Sequence, residues 1–75
     1  MNREEFYKAV GIIIQEKRID KRMTQSQLAK LIGAGTSTIG CYEAGLRCMD
    51  LETFFQICNI LGIKPNDVQK EIKKG

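Results

Sequence analysis

The spacing of helix starts and stops between Thr24 and Gly45 constrains this chain more than any other feature. Thr24-Gln25-Ser26-Gln27 has the T-x-x-Q form of a capping box, in which the threonine oxygen and the glutamine side chain satisfy reciprocal backbone N–H groups at a helix start. Leu28, Ala29 and Ile32 then supply an apolar face, and Gly33 suits the left-handed conformation that closes a helix. This second helix is therefore only about two turns long. A third helix begins almost at once, with Gly35 or Thr36 as its cap, Ile39 and Tyr42 facing inward and Gly45 as terminator. Ala29 is small where the second helix must approach the third closely. The chain thus has two short helices on a very short turn, with other helices needed around them.

The flanks supply those helices. From Asn2 to about Lys21, Phe6, Val10, Ile14 and Lys17 form one stripe and charged residues fill most of the remainder, the pattern of an amphipathic first helix. Asp50 caps a fourth helix over Leu51 to Leu61, with Phe54, Ile57, Cys58 and Leu61 on one side and Gly62 closing it. Pro65 suits the first position of a fifth, short amphipathic helix carrying Val68 and Ile72, whose lysine-rich end complements the helix dipole. The expected fold is all-α, a single five-helix domain over residues 1–75, with no strand signal, repeat or linker.

Composition narrows the function. The chain has no histidine, and Cys41, Cys48 and Cys58 lack the paired short spacings of a zinc site, so neither a metal, a cofactor nor an enzymatic activity is expected. An odd cysteine number and the lack of a secretory leader point to a reducing cytoplasm. The longest purely apolar run, Ile12 to Ile14, falls far short of the roughly 20 residues a membrane helix needs. A net charge of +3 permits a polyanionic partner without demanding one.

Two short helices joined by such a turn and packed among others form a helix-turn-helix arrangement. Here the residues also resemble a known family. "VGIIIQEKR", "TQSQLAKLIG", "STIGCYEAG", the "LR" before "DLETFFQICNILGI" and the closing "NDV" match, in order and spacing, the lambda-repressor-like helix-turn-helix family, also called the Cro/repressor or XRE type. The resemblance covers residues 10 to about 68 and implies a DNA-binding domain whose helix-turn-helix is helices two and three.

Carried over position by position, the resemblance implies that the third helix lies in the DNA major groove. Thr36, Ser37 and Cys41 then face the bases, with small side chains that let the helix enter closely and offer hydroxyls and methyl groups to base edges. Gln25 at the start of the second helix, Thr38, Arg47 and Lys30 become candidates for the DNA backbone. Lys21 and Arg22 are supporting candidates. The family pairs an arginine ending the first helix with a glutamate ending the third, which implies a structural ion pair between Arg18 and Glu43. Gly40 stands where the family has a larger polar residue, and either allows close approach to a phosphate or is tolerated.

Between Thr24 and Met49 the only charged residues are Lys30, Arg47 and Glu43, a thin positive face for DNA. Affinity is accordingly expected to lean on dimerisation and hydroxyl contacts. Apolar residues toward the C-terminal helices, Phe55, Ile63, Val68 and Ile72, form the first-choice homodimer interface, with Ile12 and Ile13 of the first helix second. Cys58 reads as core, and Cys41 as exposed on the third helix. The sequence therefore leads to a cytoplasmic, sequence-specific, double-stranded-DNA-binding transcriptional regulator of bacterial or phage type. It would act as a repressor and homodimer on a near-palindromic operator, without a small-molecule ligand. An antitoxin, or a protein-interaction module on the same fold, is the alternative.

Overall fold

Residues 2–74 are described by a computed structural model, with side chains described for residues 2–72. They form five helices in chain order, α1 (Arg3–Asp20), α2 (Gln25–Ile32), α3 (Thr36–Ala44), α4 (Leu51–Leu61) and α5 (Pro65–Lys74). The starts of α1, α2 and α4 have a local cause. Asn2 caps α1 by accepting from the Glu5 N–H at 2.9 Å, and Asp50 caps α4 by accepting from the Thr53 N–H at 2.8 Å. At α2 both halves of the capping box form: the Gln27 N–H donates to Thr24 Oγ1 at 3.0 Å, and the Thr24 N–H donates to Gln27 Oε1 at 2.8 Å. Gly35 precedes α3 with no side-chain cap, so that helix depends on its neighbours for its position.

The helix ends are as local as the starts. Gly33 sits at φ 70° in the left-handed region, and the Ala34 N–H returns to the Ala29 carbonyl at 2.9 Å. The same long return bond follows Gly45 and Gly62. At the end of α1 the left-handed position is taken by Arg22, at φ 55°, with the Met23 N–H returning to the Arg18 carbonyl at 3.1 Å. No glycine advertises that turn in the sequence. The lysine-rich end expected to oppose the α5 dipole includes Lys73 and Lys74, whose side chains lie outside the described residues.

The core is assembled from Val10, Ile13 and Ile14 of α1, Leu28 and Ala29 of α2, Ile39 and Tyr42 of α3, Ile57 and Leu61 of α4, and Val68 of α5. α3 packs across both α1 and α2, while α4 and α5 close on α1. Its approach to α1 is set by Gly11, where a methyl group would lie 2.5 Å from the Tyr42 carbonyl oxygen and would also overlap that of Glu43. Only a residue without a Cβ lets the two backbones meet at that point.

Three sequence expectations change here. Val68, at 4% exposure, and Ile13, at 6%, are core residues and not members of a free dimer face, because each points into the seam where α5 meets α1. Ile63 and Ile72 are half-buried against the same core, whereas Phe55 and Ile12 are exposed. Phe6 is no buried member of the α1 stripe: it is 42% exposed, because nothing beyond the first turns of α1 covers it. Among the described residues no helix is long and apolar enough to cross a membrane.

Candidate nucleic-acid interface

The short α3 is fixed at its far end by a buried polar network. The guanidinium of Arg18 donates from Nε to Glu43 Oε2 at 2.6 Å and from Nη2 to Glu43 Oε1 at 3.1 Å. Its Nη1 donates to the Met23 carbonyl at 2.7 Å, so one arginine joins the end of α1, the α1–α2 turn and the end of α3. Glu43 accepts a third hydrogen bond from α2, where the Gln25 Nε2 donates to Oε1 at 3.0 Å. The side chains of Arg18 and Glu43 are 10% and 3% exposed, and no buried side-chain polar atom among the described residues lacks a partner. A satisfied bidentate pair of this kind orders the elements it joins, since rotating one of them would strand a charge out of water.

Gln25 therefore has a different position from the one its place at the helix start suggests. It is half-buried and its amide nitrogen is committed to Glu43, with Gly40 of α3 packed beside it. A methyl group at Gly40 would meet the Gln25 amide at 3.9 Å, an ordinary contact, so packing does not require glycine there.

On the opposite side α3 presents its first turn. Thr36 and Ser37 are exposed, Thr38 and Cys41 are half-buried, and Ile39, Tyr42 and Glu43 turn inward. The outward side chains are short and uncharged. Lys30 on α2 and Arg47, two residues past the Gly45 cap of α3, are exposed. Cys58 lies in the core, where burial pushes its thiol pKa up, away from the reactive thiolate. Sequence reasoning missed the role of Gly11, though a glycine inside an otherwise amphipathic helix is itself a sign of close backbone approach. It also missed the Met23 carbonyl in the Arg18 network, for which no sequence signal exists.

A pair of short helices joined at Gly33 to Gly35, carried on a five-helix frame and presenting one face of the second member to solvent, is the architecture of a helix-turn-helix DNA-binding transcription regulator. The chain belongs to the helix-turn-helix family of the XRE type, whose family model matches residues 14–68. Among solved structures it is similar to the clp gene regulator ClgR from C. glutamicum, with a TM-score of 0.82 and 25% identity over 92% of this chain and 90% of that one. Curated protein sequences give no match.

Proposed function

We propose that this chain is a sequence-specific transcriptional repressor that binds a near-palindromic operator as a homodimer, with α3 in the major groove. The observation that carries the reading is the contrast between the two sides of α3. Its inward side is locked by Ile39, Tyr42 and the Arg18–Glu43–Gln25 network, and its outward side offers only short, uncharged side chains at Thr36 and Ser37. A rigid helix with small outward groups suits close entry into a groove, where hydroxyls and methyls meet base edges. Cys41 completes that row in this reading. Arg47, Lys30 and Thr38 contact phosphates, while Gln25 acts on α3 through Glu43 and reaches the backbone only with its free amide oxygen. The half-site reader becomes an operator reader by pairing, through Phe55 with Ile63 and Ile72 at its margin. The similarity to a gene regulator over nearly the whole of both chains supports the same reading.

The test is selection of duplexes from a random pool with the purified protein, followed by titration of the winner against scrambled DNA at two salt concentrations. A palindromic winner favoured by about 4 kcal/mol or more is expected. Enrichment of no sequence would reject the reading. One observation favours a protein-interaction module instead: Leu31 and Leu46 are 60% and 77% exposed beside the few cations of this face. Under that reading the two duplexes bind equally or not at all.

A further inference from the structure

The loop that carries Arg47 also borders a cleft that the proposed DNA contacts do not use. The cleft, about 250 Å³, lies between the first turns of α1, the inward side of α3 and the start of α4. The core residues Val10 and Tyr42 form its base, Phe6, Tyr7 and Phe54 line it further out, and Arg47 is the charged side chain in its lining. The cleft opens to solvent on one side and its lining is almost wholly apolar and aromatic, the character of small-molecule sites. A dry cavity of roughly 150 Å³ already admits benzene, and by that measure this cleft accepts a body of about ten carbon atoms. Its ring-rich lining suits a flat aromatic body, which can meet ring faces and edges.

The charge at the mouth chooses between otherwise similar occupants. Arg47 makes no ion pair among the described residues, and neither does Glu4 nearby. The adjoining outer groove is lined by Arg3, Lys8 and Arg47 against Glu4, so the approach is net positive. A planar guanidinium at an apolar rim is suited to a bidentate carboxylate. We infer that the cleft is a binding site for a small aromatic carboxylate, its rings against Val10, Tyr42 and Phe54 and its carboxylate on Arg47. This departs from the expectation, drawn from the sequence, that no small molecule is bound. The site also adjoins the reading helix, since Tyr42 is an inward side chain of α3 and Arg47 follows its cap. An occupant that engages Arg47 therefore competes with a DNA phosphate, a coupling that rests on the DNA-binding reading although the site itself does not.

The experiment is an amide-resolved NMR titration of the full chain with 1-naphthoate, beside the neutral 1-naphthalenemethanol and the cationic 1-naphthylmethylammonium. Naphthoate is expected to move the amides of Val10, Tyr42 and Phe54 saturably, and to bind about tenfold more tightly than the alcohol. Arg47→Gln should erase that preference, and Phe6→Glu, at an exposed position, should expel naphthoate while the thermal melt shows the fold intact. Equal response to all three probes, or shifts elsewhere in the chain, would overturn the inference. So would movement of the same amides on diluting the protein alone, which would make a second copy the occupant. For the coupling, saturating naphthoate should weaken binding to the selected duplex about tenfold, and an unchanged affinity would refute it. A protein that binds no duplex at all would count against the DNA-binding reading, with the titration still deciding the site.

Discussion

Glu43 accepts two hydrogen bonds from Arg18 and one from Gln25 while its side chain is 3% exposed, so Glu43→Ala leaves a guanidinium out of water with only the Met23 carbonyl. Removing one partner of a buried pair costs about 3 kcal/mol or more, and the urea midpoint should fall accordingly. A variant that unfolds at the parent's midpoint would show the network to be energetically idle. Two glycines give opposite forecasts for the same substitution. Gly11→Ala drives a methyl into the backbone of α3, which cannot rotate away, and should destabilise by at least about 1–3 kcal/mol. Gly40→Ala meets only an ordinary contact and restores helix propensity worth up to about 1 kcal/mol, so its melting temperature should rise, by at most roughly 4–8 °C. A lower melting point for Gly40→Ala would mean that α3 needs the glycine for its shape.

At the scale of elements, the helices are bounded locally but positioned by each other. At the head of α4 the Thr53 side chain, and then the Thr53 N–H that Asp50 accepts from, hold the Asp50 carboxyl below the ordinary carboxylate range. A lowered folded value means that the capping contribution is complete above the ordinary range and is lost as pH falls through the lowered one. Asp50→Asn keeps an acceptor at the cap but does not titrate. On acidification through that window the parent should therefore lose stability more steeply than Asp50→Asn in parallel urea titrations. Coincident pH profiles would exclude the cap as a source of the dependence. α3 is the contrasting element: it has no side-chain cap, spans nine residues and draws its order from the Glu43 network and from packing on α1 and α2.

For the whole molecule, the proposed complex separates two kinds of contact. Arg47→Ala should weaken binding to selected and scrambled duplexes alike and reduce the salt slope by about one. Ser37→Ala should leave the salt slope unchanged and relax discrimination at one base position by about 1–3 kcal/mol. If Arg47→Ala instead altered sequence preference alone, Arg47 would be a base reader and the proposed docking of α3 would need rotating. The chain's low positive charge keeps both effects readable, because few phosphate contacts compete with them.

Most helix boundaries were legible in the sequence because they are set by bonds that span three to five residues: Thr24 with Gln27, Asp50 with Thr53, the glycines at 33, 45 and 62; the left-handed Arg22 that closes α1 and the uncapped start of α3 carry no such signal. The family and its helix-turn-helix were legible for the same reason, being an ordered series of such local devices. The Arg18–Glu43 pairing was suggested only by resemblance, since 25 residues separate the two charges and no local rule joins them. Ile39, Tyr42 and Cys58 were legible as core, but tertiary structure alone decided which parts of the other apolar stripes are covered. Phe6 and Val68 both sit on apolar stripes, yet Val68 meets α1 and is buried while Phe6 overhangs a cleft. It likewise turned the Gln25 amide toward Glu43 and made Gly11 indispensable, because burial and close approach depend on what lies opposite a residue, which a one-dimensional pattern does not contain.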